Sequence, residues 1–339
     1  MIIVTGATGK LGRAIAERLL DKLPATQFGV SVRNPEKARS LSERGVRVRQ
    51  GDFDDAKSLY HAFEGASQVL IVSSDSSGEA AQNQHRNAID AAKAVGAHRV
   101  LYTSHMGSNP ASPFAPMRDH AATEAMLQAS GIAFTSLRNG FYAESALMLM
   151  GKALETGKLV APDDGPVSWT AHSDLAESAV MALMEEGPVD GLTPPLKGSE
   201  ALDLAAIAAI ASELTGRLIT RVTVTDKEYR AGLTSHGVPE SRADMLLGLF
   251  AASRKGEFAA VDPALQRLLG RPPMSMRDVL RSAAAGSIEV QTKRMSTERS
   301  RREYGLTRRL PMCRYFQPFF RLSTCATAPN RCACGSPPW

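Results

Sequence analysis

The chain has 339 residues, of which 43% are hydrophobic, and carries a formal net charge of +5 at pH 7. This length accommodates one large α/β domain and a smaller second one, and no apolar run reaches the roughly 18 residues that a membrane helix needs. Met1 leads directly into an apolar run without the layered layout of a signal peptide, so we expect a cytoplasmic protein that does not associate with membranes.

Short apolar runs rich in β-branched residues alternate with segments of helical periodicity through the first half of the chain. The apolar runs predict strands at residues 2–5, 28–32, 46–49, 68–72, 99–103 and 134–137. Helices are predicted to begin at Leu11 and to include residues 88–95 and 122–127. This alternation predicts an α/β protein, with a Rossmann-type doubly wound parallel sheet in residues 1–139.

The second half of the chain has a looser pattern, in which helices are separated by turn-forming segments. Two further strands are predicted, at residues 167–170 and 218–224. We interpret residues 140–286 as a smaller α/β lobe that faces the strand ends and contributes to substrate binding.

Residues 287–339 form a tail of different composition. From residue 291 onward, ten basic residues stand against two acidic ones, which leaves the first 290 residues with a net charge of −3. All four cysteines also lie in this tail, at Cys313, Cys325, Cys332 and Cys334. Without periodicity the tail is expected to be disordered, either as an out-of-frame end of the coding sequence or as an added interaction segment. Its cysteine spacing and unpatterned basic residues predict neither a metal site nor a specific nucleic-acid partner.

A glycine-rich turn follows the first predicted strand and precedes the first helix. Gly6 suits a tight turn, Gly9 allows the backbone to approach a pyrophosphate, and Gly12 allows the helix to pack closely on the strand. The helix N-terminus adds about half a positive charge at the phosphates. We therefore predict a dinucleotide site whose turn comprises Gly6, Ala7, Thr8, Gly9, Lys10, Leu11 and Gly12.

The end of the second predicted strand indicates which nucleotide binds. A site for NAD would place an acidic residue there, whereas this chain has Arg33, with Lys37 close behind. A guanidinium suits the 2′-phosphate of NADPH, although an ordinary solvated arginine is the alternative. After the third strand, Asp52 and Phe53 are predicted to meet the adenine, with a helix N-cap as the alternative role for Asp52.

Small polar residues follow the remaining strands of the predicted sheet. Because ligands of parallel sheets bind outside the carboxyl ends of the strands, these residues are predicted to line the cofactor crevice. An ordinary strand-end turn is the alternative for each serine. The predicted lining residues are Ser73, Ser74, Thr103, Ser104 and Asn139.

The chain lacks the Tyr-x-x-x-Lys pair with which short-chain dehydrogenases exchange a proton with an alcohol. Its motifs instead include Gly6-x-x-Gly9-x-x-Gly12, Val32-Arg33-Asn34-Pro35, Gln84-His85-Arg86-Asn87, His120-x-x-x-Glu124 and Leu137-Arg138-Asn139-Gly140-Phe141-Tyr142. On these motifs, over roughly residues 1–285, the chain resembles the NmrA-like atypical short-chain dehydrogenases, and among these the bacterial NADPH-dependent quinone oxidoreductases and azoreductases.

This resemblance implies NADPH as cofactor and hydride transfer to a small quinone-like acceptor, which needs no tyrosine-lysine pair. The candidate catalytic residues are Asn139 for positioning, Tyr142, or its neighbour Phe141, as a flat apolar wall, and His105 as a proton donor. The alternative function is a regulator that senses NADP(H) without turnover, and the sequence leaves homo-oligomerisation open. Structural alternatives are core packing for Phe141 and Tyr142, a helix-surface pair for His120 and Glu124, and a helix cap for Asp174.

Overall fold

The computed structural model describes residues 1–184 and 190–283, which belong to one compact unit, Met1–Ser287. The tail and its cysteines lie outside the described residues, so the expectations for them stay predictions. Within the described part of the chain, no helix combines the length and apolarity needed to cross a membrane.

Seven parallel strands form the central sheet, in the order β10-β6-β5-β4-β1-β2-β3. This topology confirms the predicted doubly wound Rossmann fold. The strands are β1 (Ile2–Thr5), β2 (Phe28–Val32), β3 (Arg47–Gln50), β4 (Gln68–Ile71), β5 (Arg99–His105), β6 (Ala133–Asn139) and β10 (Gly191–Leu192).

Helices cover both faces of this sheet, as the alternation of buried side chains along β1 requires. Ile2 and Val4 belong to a core shared with one helical layer, whereas Ile3 belongs to the core on the opposite face. A strand buried on both faces reads as a continuous apolar run, which explains why the sequence pattern located it. The first layer contains α1 (Lys10–Leu20), α8 (His172–Met184) and α12 (Ala264–Leu269), and the second contains α3 (Ala56–Phe63), α4 (Glu79–Ala94) and α5 (Ala115–Ser130).

A third apolar core holds together most of the elements that follow β6. Two small parallel sheets belong to this region, β7 (Phe141–Tyr142) with β9 (Trp169–Thr170), and β8 (Lys158–Pro162) with β11 (Thr220–Val224). Further helices are α2 (Arg39–Ser42), which follows β2, then α6 (Ala143–Met150), α7 (Ala153–Thr156), α9 (Leu204–Thr215), α10 (Asp226–Ser235) and α11 (Glu240–Arg254). Residues 276–283 are helical as well.

The sheet draws on residues beyond position 139. Helix α8 packs against α1, and β10 pairs with β6, although both come from the segment assigned to the smaller lobe. The boundary of the Rossmann layers therefore does not coincide with residue 139, because the chain returns to cover α1 and to extend the sheet edge.

Two strands are longer than the sequence pattern indicates, and this difference affects the site. The apolar periodicity places the ends of β5 and β6 at residues 103 and 137, yet pairing continues until His105 lies opposite Asn139. The last residues of β5 and β6 are mostly polar, and strands are recognised in a sequence by their apolar alternation, so the sequence pattern ends before the strands do. Helix α3 and strands β8 and β10 were not predicted from the sequence because they are short or weakly patterned.

Candidate functional site

The glycine-rich turn has the tight geometry that its sequence predicts. Gly6 adopts φ +64°, and a Cβ on Gly12 would lie 2.4 Å from the Gly6 carbonyl oxygen. Gly9 caps α1, and its amide donates to the Gly6 carbonyl at 2.9 Å. Helix α1 has no side-chain cap and no acidic residue in its first turn, so its positive end is available to a phosphate.

Arg33 lies at the carboxyl end of β2, and its side chain is 66% exposed. One guanidinium nitrogen is 3.9 Å from a carboxylate oxygen of Asp75, which belongs to the loop after β4. The cation predicted to bind a 2′-phosphate is therefore presented to solvent with one weak acidic partner. Sequence reasoning did not identify Asp75.

Asp52 and Phe53 follow β3, as expected, but the alternative of a helix N-cap for Asp52 is wrong. Asp55 caps α3 by accepting from the amides of Lys57 and Ser58, whereas the Asp52 carboxylate accepts from the amide of Asp54. Three neighbouring carboxyl residues made the sequence ambiguous. The adenine contact of Asp52 and Phe53 stays a prediction.

The carboxyl ends of β1, β4 and β5 are joined by hydroxyl hydrogen bonds. The Thr5 hydroxyl accepts from the Val72 amide, and the Thr103 hydroxyl accepts from the Ser73 amide, both at 2.9 Å. The turn after β4 therefore lies directly beside the glycine-rich turn, and a Cβ on Gly6 would already lie 3.3 Å from that of Val72. These bonds bring the predicted residues of the three strands together along one edge of the sheet.

The loop after β4 is anchored by two buried side chains, of which the sequence singled out only His85, as part of a family motif. His85 Nε2 accepts from the Ser74 amide at 3.0 Å, and its Nδ1 lies 2.9 Å from the Thr123 hydroxyl. Burial lowers the pKa of His85 to about 3, so the ring is neutral and carries its proton on Nδ1. Asp119 accepts from the Gly78 amide at 2.8 Å and so fixes the other end of the loop.

The Ser104 side chain has a buried partner that the sequence did not indicate, and its place in the cofactor crevice stays a prediction. Its hydroxyl donates to Glu124 at 2.7 Å, and Glu124 also receives hydrogen bonds from Ser136 and from Arg138. Burial raises the pKa of Glu124, but the bonds from Arg138 and the serines outweigh it and hold that pKa below its usual value. The alternative of a helix-surface pair with His120 is wrong, because Glu124 is buried and its hydrogen bonds come from β5, β6 and the loop after β5.

Asn139 ends β6 with its backbone fixed on both sides. Its carbonyl accepts from the Met106 amide at 2.8 Å, and it forms a parallel bridge with Leu196. The residue is 1% exposed, yet neither side-chain amide atom has a well-formed hydrogen bond among the described residues. Buried amides are almost always satisfied, so this one is suited to a bound ligand.

Tyr142 lies half-buried close to Asn139, whereas Phe141 is packed into the apolar core beside Phe258, as the structural alternative held for it. Burial raises the pKa of Tyr142 to about 12, and the neighbouring Asn139 side chain offsets only part of this effect. The Tyr142 ring lies 4.3 Å from that of His172, which is in turn 2.6 Å from a Glu144 oxygen. Sequence reasoning missed His172 and Glu144.

His105 is 8% exposed, and its Nδ1 accepts from the Gly107 amide at 3.0 Å. Its ring is stacked on His120 and meets the rings of Phe141 and Phe258 edge-on. Burial lowers the pKa of His105 well below its usual value. This ring is therefore neutral and enclosed, although β-sheet register does place it opposite Asn139.

Asp174 does not cap α8, contrary to the sequence interpretation. The residue is fully buried, and its carboxylate accepts from Arg271 at 2.8 Å and from the Met274 amide at 2.6 Å. The Ser-Asp pair at the start of a helix suggested a cap, but the long-range partners lie about a hundred residues away in sequence. Asp174 therefore links the segment that contains Arg271 and Met274 to α8 in the first helical layer.

Comparison with known proteins agrees with this geometry. A family model described as NAD(P)H-binding matches residues 6–185. Quinone oxidoreductase 2 of Escherichia coli is 37% identical over 279 residues, which cover 82% of this chain and 96% of the relative. NAD(P)H azoreductase of Xenophilus azovorans is 32% identical over 288 residues, which cover 84% and 98%.

A solved structure gives the same result. The NADPH-dependent quinone oxidoreductase of Escherichia coli, in complex with NADPH, superposes with a TM-score of 0.79 at 35% identity. The match covers 84% of this chain and 99% of that one. Fold and strand-end site together define a nucleotide-binding protein of the oxidoreductase class, with NADP(H) as its cofactor. The chain belongs to the NAD(P)H-binding, NmrA-like family.

Proposed function

We propose that this protein is an NADPH-dependent oxidoreductase that transfers hydride to quinone-like acceptors, with azo compounds as a further class. The observation that carries the proposal is the buried Asn139 side chain, whose amide atoms lack a well-formed hydrogen bond among the described residues. Its position beside Tyr142 suits the nicotinamide carboxamide or an acceptor carbonyl. The names of the relatives, quinone oxidoreductase and azoreductase, support the same acceptor classes.

The residues at the strand ends fit NADPH. Gly6 and Gly12 permit the tight strand-to-helix turn, since a Cβ on Gly12 would lie 2.4 Å from the Gly6 carbonyl oxygen, and the uncapped end of α1 supplies partial positive charge for a pyrophosphate. Arg33 binds the 2′-phosphate, Asp52 and Phe53 contact the adenine, and Ser73, Ser74 and Thr103 line the ribose side. When bound, the reduced nicotinamide supplies the hydride.

The acceptor lies against the Tyr142 ring, with Asn139 fixing its orientation. A flat electrophilic ring held in this way needs no activated tyrosine, because orientation and exclusion of water carry most of the rate enhancement. Residues from the segment 140–286 cover this side of the crevice. His105 contributes little as a proton donor in this proposal, because its ring is neutral and enclosed.

The experiment is to mix purified protein with NADPH and a simple quinone, or an azo dye, and to follow the absorbance of the reduced nicotinamide. We expect Asn139→Ala to lower the rate at least about tenfold, as for loss of a positioning contact, and His105→Ala to change it only modestly. Asn83→Ala, at an exposed position of α4, is the matched control and is expected to keep the wild-type rate.

Two results would contradict the proposal. Equal rates for wild type and Asn139→Ala would remove Asn139 from the site. Tight NADPH binding by the wild type without turnover of any quinone or azo dye would instead identify a nucleotide sensor that acts without catalysis.

A further inference from the structure

His172 and Glu144 form a pair at the place where the proposed acceptor lies. The Nδ1 atom of His172 is 2.6 Å from a Glu144 carboxylate oxygen, and the side chains are 14% and 26% exposed. The backbone amide of His172 also donates to Glu144, at 3.1 Å. One carboxylate therefore accepts a hydrogen bond from the backbone of this histidine and lies within ion-pair distance of its ring, although Nδ1 forms no well-formed hydrogen bond among the described residues.

The small sheet of β7 and β9 explains how this pair reaches Tyr142. Tyr142 lies opposite Thr170 in the parallel register of these strands. Glu144, two residues after Tyr142, lies in the first turn of α6. His172, two residues after Thr170, begins α8. Tyr142, Glu144 and His172 therefore meet at one corner, close to Asn139.

Burial of the carboxyl raises the pKa of Glu144, but the contacts with His172 outweigh it and lower that pKa below its usual value. Glu144 is therefore ionised at neutral pH, and one of its carboxylate oxygens lies 2.6 Å from Nδ1 of His172. Because Nδ1 lies next to Glu144, the second ring nitrogen, Nε2, is the one left to exchange a proton with a ligand.

The other histidines near the strand ends are poorly suited to proton donation. Burial lowers the pKa of His85 to about 3 and that of His120 to about 4, and it lowers that of His105 well below its usual value. Each of these three has its Nδ1 in a hydrogen bond with a hydroxyl group or a backbone amide. Among the described residues, His172 is the histidine whose ring nitrogen lies within ion-pair distance of a carboxylate.

We propose that His172, oriented by Glu144, is the catalytic proton donor of the quinone reduction, an inference that rests on the proposed function. When bound, NADPH would supply the hydride, and its addition to the quinone would leave NADP⁺ and a hydroquinone monoanion. The Nε2–H bond of protonated His172 then breaks, and its proton forms the new O–H bond of the hydroquinone. A proton from the solvent restores His172, so that one NADPH, one quinone and one H⁺ yield NADP⁺ and hydroquinone.

The test compares variants that separate proton donation from ring packing. His172→Phe keeps a ring against Tyr142 but cannot donate a proton, and His172→Ala opens space for added imidazole. We expect kcat with quinone to fall at least about tenfold in both variants, while the Kd for NADPH stays within about twofold. Imidazole should restore activity to His172→Ala alone, and a solvent isotope effect on kcat should accompany the wild-type reaction. His236→Phe, at an exposed position, is the matched control and should retain wild-type kcat.

The outcomes distinguish the role of His172 in proton donation from the proposed quinone reductase function on which it rests. Wild-type kcat in His172→Phe would overturn the role of His172 in proton donation. So would a lowered kcat in His172→Ala that added imidazole does not restore. Either result would leave the reductase assignment standing. A wild type that binds NADPH and reduces no acceptor would overturn both. Glu144→Gln serves as the second variant and is expected to lower kcat with a similar NADPH Kd.

Discussion

Glu124 joins the ends of β5 and β6, and its replacement by alanine should destabilise the fold more than any single surface change. Its carboxylate is 6% exposed and accepts from Ser104, Ser108, Ser136 and two nitrogens of Arg138, over 2.7–3.0 Å. Removing one partner of a buried ion pair costs about 3–5 kcal/mol, because the remaining groups lose their partners without regaining water. We expect Glu124→Ala to lower the free energy of unfolding by about this amount.

Urea unfolding of the full chain, followed by circular dichroism, measures the effect. The control is Glu64→Ala, which removes a 2.8 Å ion pair between Arg49 and the Glu64 side chain, itself 69% exposed. This variant should lower the free energy of unfolding by at most about 1 kcal/mol. Equal losses for the two variants would refute the reasoning. Glu124→Gln keeps one acceptor but loses the charge, so its loss in the free energy of unfolding should lie between those of Glu124→Ala and Glu64→Ala.

The pH dependence of this contribution has a definite sign. The folded chain lowers the pKa of Glu124 from its ordinary value of 4.5, so the ionised form is stabilised by folding. The contribution is therefore complete above pH 4.5 and is lost as the pH falls through the lower, folded-state pKa. The stability difference between wild type and Glu124→Ala should shrink on acidification, and a difference that grows would contradict this assignment.

Three further predictions concern the cofactor site, each tested by calorimetric titration with NADPH and NADH. Arg33→Ala should weaken NADPH binding by about ten- to a hundredfold and leave NADH unchanged, and equal effects on both nucleotides would exclude a 2′-phosphate contact. Asp75→Asn should strengthen NADPH binding by up to about fivefold, because Arg33 loses its competing partner, and weaker binding would contradict this role. Gly12→Ala should destabilise the fold by about 1–3 kcal/mol and abolish tight NADPH binding, whereas Gly232→Ala, with open space around it, should do neither.

The sequence predicted the Rossmann layers because their signals are local. A strand buried on both faces appears as an apolar run, and a glycine-rich turn between such a strand and an amphipathic helix is typical of a dinucleotide site. The return of α8 and β10 to the sheet could not be predicted in the same way. Helix α8 is buried along most of its length, so its composition does not show which partner it packs against, and β10 has only two residues.

In the candidate site too, residues set by local sequence order could be predicted, whereas those set by long-range contacts could not. Arg33, Asn139 and the glycine-rich turn follow or end strands directly, so their places at the sheet edge came from order along the chain. The hydrogen-bond partners of Ser104 and Asp174 come from other elements of the fold, and the cap interpretation of Asp174 was wrong for that reason. His172 and Glu144 lie 28 residues apart and meet only because β7 and β9 pair in register. A proton donor assembled in this way leaves no motif in the sequence, because it depends on the pairing of two strands of two residues each.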